Sequence, residues 1–213
     1  NNSFESAEEQ AAFDVYDANN INPLYGFFVA RAGLGASESM RSKLAEYNDP
    51  RLSRAFITKQ GTSGKEQAPG TADNAVYAPN GTPEQGTSKY GTSLFMYSIS
   101  APTLLLSYHE LKFLEAEALC RLERDAKSAL KDAVVAGLLN AENSFTISRK
   151  ELGKTLINAA SSITEAEAES YFDNTIEAKY TAEPLKTTMT QKYFALWGAS
   201  GEATESYNDV RRM

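Results

Sequence analysis

Cysteine, histidine and tryptophan each occur once in these 213 residues, and these scarcities narrow the available chemistry sharply. With Cys120 alone there is no intramolecular disulfide and no thiol pair for zinc or redox work. With His109 alone, most nucleophilic triads, His-rich metal sites and imidazole-dependent base mechanisms are excluded. Basic residues are scarce too. Lys and Arg number 21 against 28 Asp and Glu, a net charge of -7, and they are spread along the chain singly or at most in adjacent pairs. Phosphate-backbone binding and polybasic membrane-surface contact both need clustered cations, so neither nucleic acid nor an anionic membrane surface fits. The longest apolar run, residues 133–139, is interrupted by Gly137. A spanning helix needs about twenty apolar residues, and none is present.

Against these absences stands an ordinary globular composition, 42% hydrophobic. At about 150 residues per domain, the length suits one large domain or two small ones. A chain of this size buries about 70% of its unfolded surface and needs neither a disulfide nor a structural metal. It begins at Asn1 with no basic-then-apolar leader, and we read it as a fragment.

Glycine and proline divide the chain. Residues 60–93 hold six Gly, three Pro and eight Ser or Thr, whereas residues 104–213 hold one proline, Pro184. The expected organisation is short helices over 1–59, a Gly/Pro/Thr-rich excursion over 60–103, and a helical region over 104–213. Residues 3–17 carry helical spacing through Phe4, Ala7, Ala11 and Val15, with Asn22-Pro23 as a break, and residues 37–47 read as a helix capped by Ser37. Ser107 to Glu110 forms a capping box before Leu111, Leu114, Ala118 and Leu122, the expected inner face of that helix. Asp125 caps a second stripe, Ala126, Leu130, Val134 and Leu138, ending near Asn140. So short a link makes a helical hairpin of the tetratricopeptide type. Ser148 and Thr164 head two further boxes, Pro184 opens another helix, and residues 202–212 form the last.

No constellation here carries catalysis. Glu115 with Glu117, and Glu165 with Glu167 and Glu169, stand two apart, which points helical carboxylates away from each other. Neither Asp73-Asn74 nor Asn48-Asp49 completes a calcium loop, and Gly33-Leu34-Gly35 lacks the rest of a phosphate loop. No catalytic residue, metal ligand or cofactor is therefore assigned. His109 reads as a capping or solvated side chain, Cys120 as a small buried one, and Trp197 as core. Glu117 and Arg121 are spaced for a helix-surface ion pair. Tyr77 and Tyr90 stand in the polar excursion, where they are either exposed platforms for a sugar ring or anchors of their own loop.

Several segments, in order, resemble the C-terminal part of the SusD/RagB family of nutrient-binding outer-membrane lipoproteins, in its SusD-like branch. Asp49-Pro50-Arg51 is similar to the family's Asp-Pro-Arg segment, and Ser107 to Leu111 with Glu115 to Ala118 is similar to its AEA helix. Gln191-Lys192-Tyr193 resembles its QKY helix, and Glu205 to Arg212 its ending in paired arginines, with Tyr207 where the family usually has Trp. The resemblance implies a mostly α fold with tetratricopeptide-like hairpins and long irregular loops. It also implies a surface protein, not an enzyme, that captures oligosaccharide and delivers it to a TonB-dependent, SusC-like transporter. Membrane attachment would then come only through an N-terminal lipid anchor absent from this chain. Asp49, Arg51, Glu110, Glu117, Gln191, Arg211 and Arg212 would be scaffold, with Arg211 or Arg212 reaching back to Glu110 or Glu117. The alternative is a helical-repeat scaffold that binds protein and no sugar.

Overall fold

The computed structural model describes residues 4–31, 34–60, 65–67, 77–81, 90–152, 156–157, 161–198 and 202–212. Its α-helices are α1 (Pro23–Arg31), α2 (Glu38–Glu46), α3 (Tyr108–Arg121), α4 (Lys127–Leu152), α5 (Glu165–Tyr171), α6 (Glu177–Ala182), α7 (Pro184–Ala195) and α8 (Ala203–Arg212). The strands are short: β1 (Ala11–Phe13), β2 (Phe56–Gln60), β3 (Lys65–Gln67), β4 (Thr92–Ser93), β5 (Thr103–Leu106) and β6 (Leu156–Ile157). The fold is mostly α. The chain divides into two units, one of Asn1–Asp14, Pro102–Glu142 and Ile163–Met213, the other of Val15–Ala101 and Asn143–Ser162.

Among its described residues, the first unit's regular structure is helical apart from the antiparallel pair of β1 and β5. Ser107 accepts the Glu110 backbone N–H at 3.0 Å and so fixes the start of α3. The helix ends on a left-handed residue, Glu123 at φ 55°. Backbone bonds from Glu123 to Cys120 and from Arg124 to Leu119 close it as a Schellman turn. The buried face of α3 carries His109, Glu110, Phe113, Ala116 and Glu117, because Glu117 meets Arg212 of α8 on that side. It is not the expected face of Leu111, Leu114, Ala118 and Leu122, of which Leu114 is 39% exposed and Leu122 64%. Asp125 accepts the Lys127 N–H at 3.0 Å, starting α4 within a few residues. Ala126, Leu130, Val134 and Leu138 are buried as their spacing predicts. Thr164 caps α5, which continues through a π turn (Phe172–Ile176) into α6, and Pro184 opens α7. A Cβ placed on Gly137 would lie 2.9 Å from the Ala195 Cβ, so α4 and α7 approach closely only because that position has no side chain.

The second unit packs α1, α2 and a four-stranded sheet in the order β4-β2-β3-β6. Its core includes Leu44, Phe56, Ile57, Phe95 and Phe145, with the Phe95 and Phe145 rings 4.7 Å apart. Ser37 caps α2 on the Met40 N–H at 3.3 Å, and Met40 and Leu44 face inward.

Three further sequence expectations are corrected. Among the described residues of 3–17 there is no long helix but a 3₁₀ turn (Ala7–Glu9) followed by β1, because pairing with β5 overrides the local helical spacing. Asn22-Pro23 starts a helix: Asn22 accepts the Leu24 N–H at 2.8 Å, and Pro23 lacks only a donor that would be unpaired there. Finally, α4 does not end near Asn140, and Ser148 opens no new helix. The Ser148 hydroxyl bonds back to the Ser144 carbonyl at 2.9 Å and meets the Ser98 hydroxyl at 2.7 Å, which satisfies it inside a continuous helix.

Candidate functional site

In the second unit, residues 77–78 and 90–91 are both stitched to the strand-like entry of α2. Ala78 donates to the Ala36 carbonyl at 2.8 Å and accepts from Glu38 at 3.0 Å, while Ala36 donates to the Gly91 carbonyl at 2.8 Å. These bonds draw the neighbouring tyrosines inward. Tyr90 is 6% exposed, which fits the loop anchor of the two alternatives and not the exposed platform. Tyr77 is half-buried, with its ring edge-on to Phe56 at 5.2 Å and Arg41 above it at 5.6 Å. Burial pushes the Tyr77 hydroxyl up, with the Arg41 charge and hydrogen bond opposing. Residues 61–64, 68–76 and 82–89 of the excursion lie outside the described residues.

The Asp-Pro-Arg segment is a sealed fork. Arg51 donates to the Asp49 carboxylate from Nε at 2.8 Å, from Nη2 at 2.7 Å and from its backbone N–H at 2.9 Å. The side chains are 2% and 0% exposed respectively. Asn48, at φ 49°, takes the left-handed turn that brings them together. Arg54 extends the turn outward, donating to the Ser161 carbonyl at 2.7 Å and the Pro50 carbonyl at 2.9 Å.

The first unit holds a larger ionic cluster. Glu117, buried on α3, accepts from Arg121 at 2.7 Å and from both terminal nitrogens of Arg212 on α8. Arg212 also donates to Asp209 from Nε at 3.0 Å, and the buried Lys192 ammonium of α7 meets that same Asp209 oxygen at 3.0 Å. One carboxylate pair thus ties three helices. Burial drives the Glu117 carboxyl up, but hydrogen bonds and charge from Arg212 and Arg121 outweigh it and hold it below the usual range. Glu110, about two turns earlier, goes the other way: burial and the neighbouring Glu202 raise it against Lys192 and His109. Of the two arginines Arg212 makes the reach, while Arg211 lies over the exposed Tyr207 ring at 5.8 Å. Gln191 is buried, with its Nε2 donating to the Tyr171 hydroxyl at 3.4 Å.

The three rare residues also fall into place. His109 is 1% exposed, with Nε2 3.1 Å from a Glu202 carboxylate oxygen, which corrects the solvated reading: it lies on the same inward face of α3 as Phe113 and Glu117. Cys120 is half-buried, 3.6 Å from the Thr188 hydroxyl, and Trp197 is half-buried at the end of α7 instead of core. Sequence reasoning missed Arg41 and Glu202, and gave no role to Lys192 and Asp209 within the two C-terminal motifs that contain them. The signals were the motif around Lys192 and, for Asp209, its place three residues before Arg212 on one helix face. Among the described residues no cluster of His, Cys, Asp and Glu could hold a metal ion, and no helix is long and apolar enough to cross a membrane.

This mostly helical fold is shared with known proteins. A family model for SusD-like proteins of the second branch, described as starch-binding and associating with the outer membrane, matches residues 1–213. The chain belongs to the SusD-like family. It is 62% identical to a SusD/RagB family protein from Bacteroides thetaiotaomicron, with a TM-score of 0.94 over 99% of this chain and 45% of that one. A SusD homologue from Bacteroides fragilis, 19% identical, superposes with a TM-score of 0.68 over 98% of this chain and 46% of that one. A chitin-binding protein, 20% identical, has a TM-score of 0.60 over 96% and 43%. The last two share the fold. The chain spans less than half the length of each of these three structures. No curated protein matches.

Proposed function

We propose that this chain is the C-terminal part of a SusD-like domain that captures an oligosaccharide at the outer membrane and passes it to a TonB-dependent transporter. The observation that carries the reading is membership of the SusD-like family along the whole of residues 1–213. Recognition proceeds without bond cleavage, by ring stacking and hydrogen bonds to hydroxyls. The net charge of -7 suits a neutral glycan better than a polyanionic one. Tyr77, which keeps part of its ring accessible beside Arg41, is the stronger contact candidate. Tyr90 contributes as the anchor that holds the excursion's far end in place.

Calorimetric titration with neutral oligosaccharides, starch-derived and chitin-derived among them, tests the reading. The 62%-identical relative's additional segment joined to this chain is expected to bind one class without hydrolysing it. Tyr77→Ala is expected to weaken binding about tenfold, the loss of one stacking contact. Absence of binding across the panel by both the chain and the joined protein would defeat the proposal. Unchanged affinity in Tyr77→Ala would remove only that residue from the site.

A further inference from the structure

The Tyr77 ring is held from two directions, edge-on to Phe56 at 5.2 Å and with the Arg41 guanidinium 5.6 Å from its centre. Phe56 is buried, whereas Tyr77 is half-buried and Arg41, Pro79 and Asn80 are exposed, so part of the ring and its cation stay open to water. The backbone beside the ring offers no donor at two successive positions: the Ala78 N–H is taken by the Ala36 carbonyl, and Pro79 has none. Recognition at this point falls to side chains. An arginine has five N–H donors and no acceptor, and a phenol oxygen that accepts from it keeps its own proton to give. Arg41 hydrogen-bonds the Tyr77 hydroxyl in this sense. Together they present hydrogen-bond donors beside an aromatic face.

We propose that Arg41 is a specificity-determining residue, selecting sugars that carry an acetamido group over sugars with a hydroxyl at the same carbon. The inference rests on the reading that this chain captures oligosaccharide, and it names the class. A hydroxyl accepts from Arg41 but brings a proton that neither the guanidinium nor the phenol proton can receive. An acetamido carbonyl brings two lone pairs and no proton, and its methyl group packs on the apolar face of the ring. A carboxylate would also accept from the guanidinium, and more strongly. It would, however, approach a chain of net charge -7, with the exposed Glu38 three residues before Arg41 on the same side of α2. The neutral acceptor is the better fit.

The test is calorimetric titration of the joined protein with chitotetraose and cellotetraose, two β-linked glycans that differ in acetamido against hydroxyl at each C2. Maltotetraose and tetragalacturonate serve as further ligands without acetamido groups. Chitotetraose is expected to bind about tenfold more tightly than cellotetraose, the effect of one hydrogen bond from a charged donor. Arg41→Met keeps an unbranched stem and removes the donors. It is expected to bring the two affinities within about twofold of each other, and to leave the melting temperature in place because Arg41 is exposed. An unchanged ratio in Arg41→Met would overturn the proposal. Tighter binding of tetragalacturonate than of chitotetraose would assign Arg41 to a carboxylate and equally overturn it, as would tighter binding of maltotetraose or cellotetraose. In each of those outcomes a glycan is bound and the capture reading stands. Absence of binding across all four would instead defeat that reading, and this inference with it.

Discussion

Asp49–Arg51 and Glu117–Arg212 are both carboxylate–guanidinium pairs, and they sit at opposite extremes of chain separation. The first pair is two residues apart, formed within one turn of the second unit and closed to water on both sides. The second spans 95 residues and joins α3 to α8 in the first unit, with the Arg212 side chain still 42% exposed. A local pair stiffens a turn whose backbone is already near its final form. A long-range pair forms only after the helices that carry it have come together, so its strength reports on assembly. The difference also sets what breaking each one leaves behind: a fully sealed charge in the first case, and in the second a carboxylate that keeps Arg121.

The largest expected effect is therefore at Arg51. Arg51→Ala removes the two side-chain donors that Arg51 gives the buried Asp49 carboxylate, and should cost about 3–5 kcal/mol in urea unfolding followed by circular dichroism. Arg212→Ala should cost less, about 1–3 kcal/mol, because Glu117 keeps one partner and the arginine was partly hydrated. If the order of these two losses were reversed, separation and sealing would not be what distinguishes the pairs.

Within α3, pH sharpens the contrast further. Glu117 has its folded-state value lowered, so its contribution is present above the unfolded value, near 4.3, and is lost as pH falls through the lowered folded value. Glu117→Gln should accordingly be less stable than wild type at neutral pH by about 1–3 kcal/mol. That gap should close as the solution is acidified. Glu110 is raised, so its contribution is fully present below the unfolded value and is lost as pH rises through the raised folded value. Glu110→Gln should match wild type at low pH and gain on it toward neutrality. Thermal melts of both variants across pH 3 to 7 read the opposite slopes directly, and parallel slopes would show that the two carboxylates share one environment.

Much of the helical frame was legible from local chemistry. Ser37, Ser107, Asp125 and Thr164 each mark a helix start because a cap acts on a backbone N–H two or three residues away, and Pro184 marks another because the donor it lacks would be unpaired in the first turn. Ser148 carries the same pattern, and there the pattern misleads: the hydroxyl can serve the carbonyl behind it as well as the N–H ahead, and its contact with Ser98, 50 residues away, decides. The stripe of α3 misleads for a related reason. Periodicity identifies an apolar face, but the side of the helix that meets this chain is set by Lys192, Asp209 and Arg212, which lie 71 to 95 residues beyond Glu117 or Arg121 and leave no trace near it. For the ligand, Tyr77 and Tyr90 look alike in a polar segment. Both are tied to Ala36 through their neighbours, and their different burial emerges only in the folded chain.

The paired arginines at the end of the chain give the smallest effect and the finest test. The residue types offer Arg211 and Arg212 equally, and helical spacing separates them. Asp209 and Arg212, three apart, share the face that meets Glu117, whereas Tyr207 and Arg211, four apart, share the opposite one. An exposed cation over an exposed ring contributes about 0.5–1 kcal/mol at most. Arg211→Ala should thus change stability by less than about 1 kcal/mol and leave the acid limb of the Glu117 titration in place, while Arg212→Ala should flatten it. A loss at Arg211 equal to that at Arg212 would mean that α8 is held by its charge as a whole and not by the single reach to Glu117.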